Sequence, residues 1–260
     1  MWACGYLVVV LACFFTVAYR EQLHDGYELL SIRYFPSAER AYLYGEEHFA
    51  VTNPAAYNPE RAEQFFKIAE RINPSYPYVN HQLARLEFLQ GHYNTALLYI
   101  DKQISLYGTS TPRAYYVRGL IEGFKADYES SAKDYRVYIA SDPNNWASTN
   151  DLAWVLLKAN KPQEALDAIN KVLPYWKTNP WLLNSKATAL YELKRYEEAD
   201  TAVKEAMRAV VALKPEDWSR AYPGNDPLVA PEGVEDFQKA VIKNMHTISL
   251  ALQKVRGGMR

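Results

Sequence analysis

Cysteine is almost absent: of 260 residues only Cys4 and Cys13 carry a thiol. No disulfide and no cysteine-based zinc site can be built in the rest of the chain, and a thiol-free region suits an oxidising compartment. Net charge is equally scarce. Lys and Arg number 29 against 30 Asp and Glu, a balance of −1, which lacks the basic surface that nucleic-acid binding needs to displace counterions. The short signatures of catalysis are missing too, with no HExxH, GxSxG, GxGxxG or phosphate-binding glycine loop. The five histidines, His24, His48, His81, His92 and His246, join no Cys/His cluster. "GEEH" at 45–48 and the pair Glu197-Glu198 read as solvated helix faces. We therefore expect no enzyme, no metal and no cofactor. What the chain has in quantity is tyrosine, 21 residues, in an otherwise globular composition.

Charge is also missing from one long stretch. "MWACGYLVVVLACFFTVAY", residues 1–19, has no charged side chain, and Arg20 ends the run. At the rise of an α-helix it spans about 28 Å, close to the hydrocarbon thickness, with Trp2 and Tyr19 at its two ends. An uncleaved anchor over residues 1–20 is the reading adopted. A signal peptide cleaved after Thr16-Val17-Ala18 lacks the basic n-region, and a lipoprotein using Val10-Leu11-Ala12 before Cys13 lacks a polar tether. Arg20 and Arg33 follow the span with no Lys or Arg before it, which by itself places the C-terminal side in the cytoplasm. The missing thiols and the secretion-like segment point the other way. We expect a single-pass protein of the cytoplasmic (inner) membrane, its soluble part extracytoplasmic.

Beyond a juxtamembrane linker, 21–36, one pattern recurs. Tyr93, Tyr128, Pro162 and Tyr196 follow at steps of 35, 34 and 34. Small residues keep the same register, Ala62, Ala96, Ser131, Ala165 and Ala199, each followed four residues later by a bulky one: Phe66, Ile100, Tyr135, Ile169 and Val203. Upstream of these stand Gly45, Ala84, Gly119, Ala153 and Ala187. Small side chains let two helices approach closely, Gly91 sits where a helix must stop, and Pro74, Gly108 and Pro143 break the helices between units. In the first unit the small positions are 17 residues apart instead of 12, so a longer turn is expected at "VTNPAAYNP".

This register resembles the tetratricopeptide repeat family over residues 37–213. The resemblance implies an all-α, right-handed superhelical array of about five helix hairpins. Residues 214–233, with Pro215, Pro223, Pro227 and Pro231, are read as a loop. Val234, Phe237, Val241, Met245, Ile248 and Leu252 then repeat at helical spacing, which predicts a helix over 234–256 covering the end of the array; a helix offered to another protein is the rival reading. Arg118 and Lys186 stand where the family usually has leucine, and are expected to extend along their aliphatic stems into water.

In such arrays the first helices line a concave groove that takes peptides. Carried onto this register, the expected partner-binding residues are Tyr78, His81, Arg85, Tyr116, Phe124, Asn150, Trp154, Trp181, Asn184 and Tyr191. Asn150 and Asn184 share one slot, 34 residues apart, and a carboxamide both donates and accepts. The rings suit interface hot spots, although packing between units competes for each. The family's lysine-and-asparagine clamp on a C-terminal carboxylate is not matched, since His81/Arg85 and Tyr116/Leu120 fill its slots. The implied function is a membrane-anchored scaffold that binds a protein or peptide partner, in assembly of a secretion, envelope or surface-fibre complex. A structural subunit that forms homo-oligomers through its repeats and a carbohydrate-binding module are the alternatives.

Overall fold

A computed structural model of the chain describes residues 20–50, 54–222 and 226–258. The apolar run 1–19, on which the anchor reading falls, lies outside them. Among the described residues no helix is long and apolar enough to cross a membrane. They form helices joined by turns: α1 (Arg20–Tyr34), α2 (Ala38–Phe49), α3 (Pro59–Ile72), α4 (Val79–Leu89), α5 (Tyr93–Tyr107), α6 (Pro112–Phe124), α7 (Tyr128–Ser141), α8 (Trp146–Lys158), α9 (Pro162–Val172), α10 (Pro180–Glu192), α11 (Tyr196–Val210), α12 (Pro215–Ala221) and α13 (Ala230–Gly258). Two compact units result. One ends at Phe49 and resumes over Asn58–Val79; the other runs from Asn80 and includes Ala50–Tyr57.

The hairpins α2/α3, α4/α5, α6/α7, α8/α9 and α10/α11 follow the sequence register. Every second-helix small residue from Ala62 to Ala199 is fully buried, as is every bulky partner from Phe66 to Val203. Where α6 meets α7, a Cβ added to Gly119 would lie 3.2 Å from the Ser131 carbonyl oxygen, and the Ser131 hydroxyl donates to the Gly119 carbonyl. At Gly45 an added Cβ would collide with the Phe66 ring, so glycine leaves the room that this ring fills between α2 and α3.

The turn inside each hairpin of the second unit is one motif. Gly91, Ala126, Asn160 and Lys194 all have positive φ, between 58° and 78°. Around Gly91 the N–H of His92 bonds the Glu87 carbonyl, and that of Gly91 bonds Phe88. The same pair of bonds recurs at Ala126, Asn160 and Lys194. These are Schellman closures, which satisfy the last carbonyls of the first helix and turn the chain back. Only the first copy uses glycine.

Several stretches differ from their reading in sequence. Most of the 21–36 stretch is helix α1, held by a buried carboxylate: Glu28, with no exposure, takes His48 Nε2 at 3.0 Å and Arg61 at 3.1 Å. These contacts tie α1 to α2 and α3. Within 214–233, Pro215 at the first turn and Asp217 accepting from the Lys214 N–H at 3.0 Å start the short helix α12. α13 begins at Ala230, and it lies along α10 and α11 with Val234, Val241, Ile248 and Leu252 buried. Arg118 is partly exposed and its charge is paired rather than free in water. Its guanidinium bonds Asp101 at 2.9 Å and both oxygens of Asp134.

The turn motif yields opposite effects from opposite substitutions. A Cβ at Gly91 meets no atom within 4 Å, so Gly91→Ala tests backbone strain alone and should destabilise by about 1 kcal/mol. Ala126→Gly relieves that strain and should stabilise by a few tenths up to about 1 kcal/mol, net of the entropy glycine loses on folding. Urea denaturation of the two variants measures both signs.

Candidate functional site

In the second unit the first helices pack on one another, α6 on α8, α8 on α10, and α10 on α13. No pair of second helices packs as closely. The first helices are therefore its inner layer, and they carry nine of the ten residues named above; Tyr78 belongs to the first unit.

Tyr116, Asn150 and Asn184 occupy one slot on α6, α8 and α10. Each bonds to the next element along. The Tyr116 hydroxyl donates to Asp151 Oδ2 at 2.6 Å. The Ser185 hydroxyl donates to Asn150 Oδ1 at 2.8 Å. Asn244 Nδ2, on α13, donates to Asn184 Oδ1 at 2.9 Å. Asp151 and Ser185 are equivalent positions 34 residues apart, so the first two rungs are one contact repeated. In the third, α13 supplies a polar group where a further hairpin would begin.

These rungs change what the asparagines offer. Both carboxamide oxygens are engaged inside the chain, and the Asn150 amide lies against Asp151 and lowers its pKa. The N–H donors of Asn184 have no acceptor among the described residues. The two-sided grip on a partner's backbone expected from stacked asparagines is thus reduced to donation from Asn184.

The rings divide by exposure. Trp181 is buried, stacked on Phe237 of α13 at 5.1 Å and 6° and on Trp146 at 5.1 Å; α13 closes this ring off from any partner. Its Nε1 makes no hydrogen bond and lies near the Tyr222 hydroxyl without bonding geometry. Phe124 is exposed and touches Phe88 edge-on at 5.1 Å and Trp154 at 5.8 Å. Trp154 and Tyr191 are half-buried, the latter against Tyr196. Tyr78 is half-buried just before α4, with φ of 65°. Arg85, also half-buried, donates to Gln82 Oε1 at 2.8 Å.

His81, in the Tyr116 slot one unit earlier, is buried. Burial pushes its pKa down to about 3, and the charges of Arg85 and Arg113 add to the effect, so the ring is neutral. Asp151 shows the reverse. Burial pushes its pKa up to about 6, opposed by the bonds from Tyr116 and Asn150. Among the described residues no Lys, Arg or His pairs with it. Burial raises the pKa of Tyr135 and pushes that of Tyr222 to about 12, and the Asp151 charge adds to both. The Tyr135 hydroxyl is buried without a hydrogen-bond partner. Asp151, Ser185, Tyr222 and Asn244 escaped the sequence reading. The one signal was that Asp151 and Ser185 both follow an asparagine of the repeated slot.

Solved structures share this fold. MamA from Desulfovibrio magneticus RS-1, residues 41 to the end, superposes with a TM-score of 0.57 at 16% identity, over 65% of this chain and 94% of that one. Another crystal structure of MamA gives 0.55 at 17%, over 70% and 94%. PilF of Pseudomonas aeruginosa gives 0.57 at 15%, over 85% and 94%. No protein-family description and no curated protein matches the chain. At these identities the likeness is one of fold, an all-α helical-repeat fold of tetratricopeptide type.

The two shifted groups should bend stability with pH in opposite senses. Folded Asp151 keeps its proton up to about 6 while the unfolded acid releases it near 3.8, so its contribution is largest in acid and is lost as pH rises through that window. His81 must stay neutral in the fold down to about 3 against 6.5 when unfolded, so its contribution grows as pH rises toward 6.5 and is lost below. Denaturation at pH 4 and pH 7 should show Asp151→Asn gaining on the parent chain at the higher pH. His81→Asn should lose ground there.

Proposed function

We propose that the chain is a scaffold that binds an extended segment of a partner protein along the inner face of its first helices, and that residues 1–19 tether it to a membrane with the repeats on the extracytoplasmic side. The observation that carries the binding reading is the state of that inner face. It offers N–H donors of Asn184 that have no acceptor among the described residues, the exposed ring of Phe124 and the half-buried rings of Trp154 and Tyr191. Hydrogen-bond donors beside aromatic rings are what an extended polypeptide needs: the donors take its carbonyls and the rings take its side chains. The MamA and PilF likenesses add that this fold recurs in such chains, without specifying a ligand.

The tether reading draws on the charge-free run before Arg20 and on α1 beyond it. Tyr27, Leu30, Tyr34 and Phe35 of α1 and its exit are between 52% and 71% exposed, and amphipathic rings of this kind settle at a membrane interface. The biological setting that fits a tethered arc is assembly of a secretion, envelope or surface-fibre complex, where tethering raises the local concentration of partner and scaffold.

Site-specific photocrosslinking of the full-length protein in its native membrane tests the reading. A crosslinker at Trp154 or Tyr191 should capture one partner polypeptide, and a crosslinker at Leu98, exposed on the second helix α5, should not. Equal capture from both faces would overturn the groove. Adducts of the chain with itself alone would establish the self-associating subunit instead, and loss of glycan pull-down in Trp154→Ala would establish the carbohydrate module.

A further inference from the structure

Asp151 is a carboxylate that the repeat does not require. Its rung partner is the Tyr116 hydroxyl at 2.6 Å, and one unit on the equivalent position is filled by Ser185, whose neutral hydroxyl makes the equivalent rung at 2.8 Å. A charge is therefore unnecessary for joining neighbouring units here. It is also costly, because a half-enclosed carboxylate without a cation gives up hydration that two neutral hydrogen bonds do not replace. The rise of its pKa to about 6 reflects that cost. The Tyr116 hydroxyl is bonded to it, and Tyr135 and Tyr222 feel its charge. A carboxylate that holds only neutral hydrogen-bond partners and lacks a cation has the chemistry that receives an ammonium or guanidinium through a charged hydrogen bond.

We propose that Asp151 is the seat for one basic side chain, Lys or Arg, of the polypeptide that occupies the inner face. This rests on the groove reading above and sharpens it: the partner is recognised by a positive charge at one fixed point, with its backbone held elsewhere along the stripe.

Display of random dodecapeptides against the full-length chain tests it. Selected peptides should share a Lys or Arg at a single register position. Replacing that residue by Gln should weaken binding to the parent chain about tenfold or more, and should change binding to Asp151→Asn by less than about twofold. Asp151→Asn should melt at or above the parent's temperature. Enriched peptides without a fixed basic residue, or the same loss on both proteins, would overturn the basic seat and leave the groove intact. A display that enriches nothing would overturn the groove and the seat together. A large fall in melting temperature would make Asp151 a structural residue and overturn the seat alone.

Discussion

Two helices can lie in close contact only where at least one of them carries almost no side chain, and every hairpin of this chain depends on that constraint. Ala62, Ala96, Ser131, Ala165 and Ala199 meet their first helices with no exposed surface, and the bulky residue one turn later fills the space beside each contact. The α6/α7 pair shows how tight the fit is, because Gly119 and Ser131 approach until the hydroxyl of one bonds the carbonyl of the other. Once the crossing is set, the left-handed turn at the end of the first helix brings the chain back in the same way in each of the four hairpins of the second unit. Repetition then puts the first helices in contact with one another and leaves the second helices outside.

That inner layer is stitched by polar contacts as well as by apolar ones. A slot residue on one first helix bonds the residue beside the slot on the next, from Tyr116 to Asp151 and from Asn150 to Ser185. At the end of the array the long helix α13 continues the series with Asn244 and covers Trp181 with Phe237. The terminal helix thus takes the place of a missing unit in both its apolar and its polar contacts. In doing so it buries Trp181.

Charge is distributed unevenly along this face. Burial keeps His81 neutral and the charges of Arg85 and Arg113 add to the effect, whereas no Lys, Arg or His among the described residues pairs with Asp151 two units on. If the proposed peptide occupies this face, it meets positive charge toward His81 and negative charge at Asp151.

The sequence alone determined the periodic parts of this protein. The spacing of Ala96, Ser131, Ala165 and Ala199, the bulky residues after them and the stop at Gly91 specify hairpins, because helix packing acts on side-chain size at fixed intervals and size is visible in a residue's name. The terminal helix was legible for the same reason, from Val241 and Ile248 and their neighbours. Tertiary structure decided whatever depends on a partner distant in the chain. Arg118 has the stem to reach water but finds Asp101 and Asp134; Glu28 holds a stretch that reads as linker; Ala126 and Lys194 adopt a backbone conformation that their side chains alone would disfavour; Asn150 and Asn184 look free for a ligand until Ser185 and Asn244 arrive. A polar group's role is set by what stands within about 3 Å of it, and that neighbour is chosen by the fold.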